Sequence, residues 1–285
     1  MGIIIRELCI AVFTAILLTV LATAQQALAD ITYSDGGIDN ISTSMPEGTI
    51  NVTNGTTLNV LSGASLTSSS YFIITANSNS PVNVYGGNMT GPDGLYILDS
   101  PLSIYGGTIT SDQGISVSGG GTTNIYGGTI TGDFGISAGG NSPVNIYGGT
   151  IATTGLYAVQ AINSEQINIF GGNISSNGGS GIAIVAAGTG SIVNVYGGNI
   201  SGSIQPLSGV VDIFGSGFNY GYGQVGATSG TLTGTLADGT PIDVTFSNND
   251  GEIILSPTPT PVPSAAYLFV SGLVGIVVLR RKYLL

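Results

Sequence analysis

The sequence predicts an all-β chain, wound as a right-handed single-stranded parallel β-helix: a three-sided solenoid of about 21 residues per coil, with a C-terminal β cap and one C-terminal transmembrane helix. Three observations predict it. A phrase built on Tyr-Gly-Gly returns along the middle of the chain, short apolar–polar alternations separated by glycine fill the intervals, and a proline-rich stretch near the C-terminus precedes an apolar run with a basic end. Alternation with a period of two marks strands. A repeat too short to be a domain must stack on its neighbours to bury its apolar side.

The chain opens with Arg6, an apolar run from Leu8 to about Ala24, and Ala27-Leu28-Ala29 ahead of Asp30. Residues 1–29 are therefore expected to be a secretory signal, cut between Ala29 and Asp30. Cys9, the only cysteine, lies inside it. The exported chain is then expected to hold no disulfide and to rely on repeated packing and hydrogen bonding.

Residues 30–216 carry the repeats. The phrase reads Asn83-Val-Tyr-Gly-Gly-Asn-Met-Thr90, Ser103-Ile-Tyr-Gly-Gly-Thr-Ile-Thr110, Asn124-Ile-Tyr-Gly-Gly-Thr-Ile-Thr131 and Asn145-Ile-Tyr-Gly-Gly-Thr-Ile-Ala152, and continues less perfectly from Asn168 and Asn194. Leu58-Asn-Val-Leu-Ser-Gly63 reads as an earlier, degenerate coil. Within one coil Val144-Asn-Ile146, Thr150-Ile-Ala152 and Leu156-Tyr-Ala158 form three sides, with glycine at the corners because it takes sharp backbone conformations without steric cost. Two inward columns follow: Val84, Ile104, Ile125, Ile146, Ile169 and Val195, and Met89, Ile109, Ile130, Ile151, Ile174 and Ile200. Pro81, Pro101 and Pro143 suit strand starts.

After Phe214 the period stops. In residues 217–256, Thr231–Leu236 and Ile242–Phe246 flank Asp238-Gly239 and read as a hairpin, with a last strand from Glu252 to Leu255. This segment is expected to cap the open end of the stack. Residues 257–263, Pro-Thr-Pro-Thr-Pro-Val-Pro, form an extended linker. In residues 264–285 an apolar segment runs to Leu279 and ends on Arg280-Arg281-Lys282. Counted from Val262 it is just long enough to span a bilayer, its basic end held in the cytoplasm.

The string from Val262 to Lys282 resembles the PEP-CTERM tail recognised by exosortase-type enzymes, with Val262-Pro263-Ser264-Ala265 in place of the usual Pro-Glu-Pro motif, as in a variant form of the tail. Ser271-Gly272-Leu273 matches its helix, and Arg280, Arg281 and Lys282 its basic end. The stretch Gly234-Thr-Leu-Ala-Asp-Gly-Thr-Pro241 also resembles a segment found just before such tails in related surface proteins. The resemblance covers roughly the last 25 residues. It implies an exosortase-type processing enzyme as partner, a transient inner-membrane anchor, and retention at the surface or in the extracellular polysaccharide of a Gram-negative bacterium, as in a biofilm matrix.

Charge restricts the chemistry most. The four basic residues are Arg6, Arg280, Arg281 and Lys282, and there is no histidine, so Asp30 to Leu279 contains no cationic side chain. Of 15 acidic residues only Glu7 lies in the leader, which leaves 14 carboxylates without a side-chain counter-ion. Such a surface repels nucleic acid and acidic polymers. The β-helix fold hosts pectate lyases and polygalacturonases, but a basic-residue lyase, a metal-histidine site and a Ser-His pair all lack their groups here. Carboxylate-only glycoside hydrolysis survives as the least favoured reading, and the chain is expected not to be an enzyme.

Asp112 and Asp133, at equivalent places two residues before Gly114 and Gly135, are the calcium candidates; no other cofactor is expected. The plainer reading is that Asp favours turns. The Thr-Ile-Thr strands turn Thr108, Thr110, Thr129, Thr131 and Thr150 outward in an array that resembles ice-binding faces, interrupted by Ala152. The aromatic column from Tyr85 to Phe214 reads first as rings that stack on one another and fix register, second as a platform for sugar rings. A structural, adhesin-like surface rod is the leading expectation, with a ligand-binding solenoid for ice or neutral glycan as the alternative.

Overall fold

The computed structural model describes residues 30–69, 71–177, 181–248 and 250–259. The expected signal peptide, with Ala27 and Ala29, and the sorting-tail residues Val262, Pro263, Ser264, Ala265, Ser271, Gly272, Leu273, Arg280, Arg281 and Lys282 lie outside them. So does the expected transmembrane helix; among the described residues no helix is long and apolar enough to cross a membrane.

The described residues form an all-β parallel solenoid of about nine turns with a spacing near 21 residues. Three columns of strands run along it. The first face stacks Thr57–Val60, Val82–Val84, Leu102–Ile104, Thr123–Ile125, Val144–Ile146, Gln166–Ile169, Ile192–Val195 and Val210–Ser216, each in parallel register with the next. The second face begins at Ser65–Thr67 and Asn88–Thr90, and the third runs from Ile31–Tyr33 through Ile50–Val52 and Phe72–Ala76 to Asp93–Leu98 and beyond. In two coils the second and third faces are one continuous strand, Thr129–Ala138 and Thr150–Ile162, so the expected break at Gly155 is absent.

Both predicted inward columns are buried, from Val84 and Ile104 to Ile174 and Ile200. The third face adds two that the spacing did not assign: Ile74, Leu95, Ile115, Ile136, Val159 and Ile184, and beside them Ile97, Val117, Ala138, Ala161 and Ala186. One member of the first-face core breaks the pattern. Thr123 stacks between Leu102 and Val144, fully buried, with its Oγ1 unpartnered.

The corners are built in different ways. At the first, the second glycine of each pair, from Gly87 to Gly198, has φ between +87 and +96°, a region that side chains rarely enter. The corner from third to first face holds Asn54, Asn79, Asp99, Asn141 and Asn163 at φ of +50 to +62°, with glycines such as Gly119, Gly140 and Gly188 also at positive φ. Asn and Asp tolerate this left-handed conformation better than other side chains. Buried hydroxyls tie that corner together: Ser80 N–H donates to Ser100 Oγ at 3.0 Å and Gly120 N–H to Ser142 Oγ at 2.9 Å. Buried Glu165 takes the acceptor role for Ser142 N–H at 2.5 Å.

Two earlier strands, Ile31–Tyr33 and Ile38–Ile41, pair with Ile50–Val52 and Thr57–Val60 and extend the stack below the first Tyr-Gly-Gly phrase. Asp30, the expected first residue after cleavage, accepts Thr49 N–H on Oδ1 at 3.2 Å. At the other end Ser229–Leu236 and Pro241–Ser247 form an antiparallel hairpin. Its tip reaches the first corner, where Asp238 N–H donates to Tyr196 O at 3.0 Å and Asp238 Oδ2 accepts Gly198 N–H at 2.9 Å. The last strand runs Glu252–Pro257, parallel to Val210–Gly215. It takes in the first residue of the proline stretch, at a strand end where the missing N–H is tolerated.

Candidate functional site

The second face holds the threonine array in the predicted register. Thr108, Thr129 and Thr150 form one column; Thr110, Thr131 and Ala152 form the next. Asn88 and Thr90 continue the columns on one side, Asn173 and Ser175 on the other. Thr131 Oγ1 lies 3.2 Å from Thr110 Oγ1, so the hydroxyls bond along the column as well as facing outward.

The corner after this face brings the acidic candidates to the same place. Asp112 N–H donates to Pro92 O at 2.7 Å and Asp133 N–H to Asp112 O at 2.9 Å, which sets the two aspartates on successive coils. Asp133 Oδ1 lies 3.3 Å from Thr154 Oγ1, within its donating reach. Thr90, Thr110, Thr131, Asp112, Asp133 and Thr154 line one open groove of about 440 Å3. Thr108, Thr129 and Thr150 stand outside it. The groove offers hydroxyl donors and acceptors and two carboxylates. Among the described residues no group of three acidic, histidine or cysteine side chains gathers to hold a metal, so calcium would find only this pair and turn carbonyls.

The aromatic column is a continuous stack. Tyr85, Tyr105, Tyr126, Tyr147, Phe170, Tyr196 and Phe214 follow one another with ring centroids 4.4 to 5.1 Å apart and planes within 17°. The first five are 39 to 50 % exposed. What they expose is ring edge, because between Tyr105 and Tyr196 each ring has another ring on both faces. A sugar stacks on an aromatic face, so the platform reading fails for those rings.

Beside the rings runs an amide ladder. Asn59 Nδ2 donates to Asn40 Oδ1 at 2.9 Å and Asn83 Nδ2 to Asn59 Oδ1 at 3.0 Å. After a gap at Ser103 it resumes through Asn124, Asn145, Asn168 and Asn194 with contacts of 2.8 to 3.0 Å. The next rung is Asp212, whose Oδ1 accepts from Ser256 Oγ at 2.7 Å. Burial pushes the Asp212 carboxyl above the ordinary carboxylate range, with the Ser256 bond working against the shift. The Tyr196 phenol is raised by burial first and by the neighbouring Asp212 second. Compared with known proteins, the chain matches no family model, and no similar curated protein or solved structure was found.

Proposed function

We propose that the chain is an exported, non-enzymatic surface rod with a structural or adhesive role, sorted through its tail by an exosortase-type enzyme and held at the cell surface or in extracellular polysaccharide. The observation that carries the reading is the seven-ring aromatic stack, which runs unbroken beside the coil-to-coil register. A body whose every layer locks onto the next is stiff along one axis and repeats its faces. In this reading the solenoid winds to the right, as parallel crossovers do, the hairpin from Ser229 to Ser247 is its cap, and residues 264–285 are a temporary membrane helix.

The test is intact-mass analysis of protein recovered from a Gram-negative host with and without an exosortase. The reading expects a chain beginning at Asp30 and cut near Pro263 only when the enzyme is present. An uncut tail in both hosts overturns the sorting. A second reading, a ligand-binding solenoid, is favoured by the regular Thr108–Thr129–Thr150 column. It expects micromolar protein to inhibit ice recrystallisation, and no inhibition removes the ice-binding form of it.

A further inference from the structure

We propose that the third face carries a binding site for one residue of an uncharged polysaccharide, in the cleft formed by Gln113, Ser116, Phe134, Ser137 and Gln160. This gives the adhesive reading a site, and rests on that reading for the supply of an extracellular polymer.

The register builds the cleft. Gln113 stacks beneath Phe134 and Phe134 beneath Tyr157, while Ser116, Ser137 and Gln160 form the parallel column. Tyr96 stands below Ser116 in that column, so two short hydroxyl side chains sit between two long ones and open a depression of about 210 Å3. That is below the roughly 300–1,000 Å3 of pockets that take drug-sized ligands, and it suits one small polar ring.

Its chemistry matches a sugar. Two amides and two hydroxyls supply donors and acceptors together, as the neighbouring hydroxyls of a pyranose require. Ser137 Oγ and Gln160 Oε1 lie 3.4 Å apart, a long contact that a better partner can replace. Phe134 supplies the apolar wall. Unlike the rings of the first face it meets its aromatic neighbour edge-on, 6.0 Å from Tyr157 at 64°. The side toward the preceding coil has Gln113, not another ring, in the stacked position. A ring face that no second aromatic ring takes, beside convergent amides, is what a C–H face of a sugar stacks against. The cleft itself is uncharged, and a chain with 14 carboxylates and no cation between Asp30 and Leu279 disfavours anionic polymers.

The experiment is calorimetric titration of the full chain with neutral gluco-, manno- and galacto-oligosaccharides, and with an oligogalacturonate as the anionic arm. One neutral series is expected to bind at millimolar concentration and the galacturonate not to bind. Phe134→Ala and Gln160→Ala should each weaken binding about tenfold or more. Gln113→Ala, on an exposed side chain, should weaken it without loss of fold. Asp112→Asn with Asp133→Asn should leave it unchanged. The proposal is overturned if no neutral series binds, if galacturonate is preferred, if the three cleft variants bind as the parent does, or if the aspartate variant alone loses binding. A chain that binds no sugar but is cut at both ends in its host loses this site and keeps the surface-rod reading. A chain that binds but stays uncut does the reverse.

Discussion

The coils between Val82 and Ala152 and the segment after Phe214 use the same materials, glycine, threonine, tyrosine and alternating apolar residues, but assemble them by different rules. In the coils the repeated phrase packs on its own copy one turn away: Ile104 on Ile125 and Val84, Tyr126 on Tyr105 and Tyr147. In the terminal segment partners are dissimilar. Leu236 pairs with Gly215, Phe246 with Ile204, and Asp238 reaches back to Gly198. A substitution in the coils is therefore felt by two neighbouring layers, and in the terminal segment by one surface or by solvent.

Glycine gives the sharpest separation. Gly149 and Gly239 share nearly the same backbone, φ +89 and +92°. A Cβ on Gly149 would lie 2.9 Å from Gly127 C and Gly128 O in the preceding coil, whereas one on Gly239 would have nothing within 4 Å. Left-handed strain alone costs an alanine about 1–2 kcal/mol, and overpacking adds about 1–3 kcal/mol. Gly149→Ala should therefore lower stability by about 2–5 kcal/mol and Gly239→Ala by about 1–2 kcal/mol, read from chemical denaturation. Equal losses would mean that coil contact does not distinguish the two regions.

The aromatic rings separate them next. Tyr126 stacks on Tyr105 and Tyr147 at 5.0 and 5.1 Å, while Tyr222, 58 % exposed, meets among the described rings only Phe218, edge-on at 6.2 Å, and donates its hydroxyl to Gly215 O at 3.2 Å. At about 0.5–1.5 kcal/mol per ring pair, Tyr126→Ala should cost about 1–3 kcal/mol, and Tyr222→Ala less. A larger loss at Tyr222 would show that the stack is ornament and the terminal contacts hold the fold.

This contrast also explains what was legible in the sequence. Self-pairing made the inward columns through Ile109 and Ile130, the ring stack and the threonine register readable from spacing alone. The first coil was not, because Ile31–Tyr33 and Ile38–Ile41 have lost the Tyr-Gly-Gly phrase while keeping the alternation. Neither was the left-handed corner at Asn141 and Asp99, which uses residues that also serve ordinary turns. At the candidate sites the sequence placed Thr110, Thr131, Asp112 and Asp133 on the right coils, but only the corner geometry joined them in one groove. The third-face cleft was missed because Gln113, Phe134 and Ser137 share no repeated phrase.

Thr123 tests the rule from inside the regular region. Its hydroxyl is buried without a partner between apolar neighbours, and an unsatisfied buried group costs about 1–3 kcal/mol. Thr123→Val keeps the shape and removes the hydroxyl, so it should stabilise the chain by about 1–2 kcal/mol. No gain would mean that the hydroxyl finds an acceptor on the time-average.

Asp212 stands where the two regions meet, and its effect is the smallest and the most sensitive to pH. It occupies the rung after Asn194 and lies beneath the last strand, bonded to Ser256. Asn145, Asn168 and Asn194 each donate an amide to the rung below, but an ionised carboxylate has no proton to donate to Asn194 Oδ1. Its carboxyl is raised in the folded chain, chiefly by burial. A raised carboxylate contributes stability that is complete below its unfolded value, near 3.9, and is lost as pH rises through the folded value. Asp212→Asn supplies a donor at every pH while keeping an oxygen for Ser256. At neutral pH it should raise the melting temperature by about 2 °C, the effect of one modest hydrogen bond in a chain of this size. Below the ordinary carboxylate range the parent regains its proton and the difference should close. A gap that persists unchanged at low pH would show that ionisation of Asp212 is not what weakens the junction between the regular coils and the terminal segment.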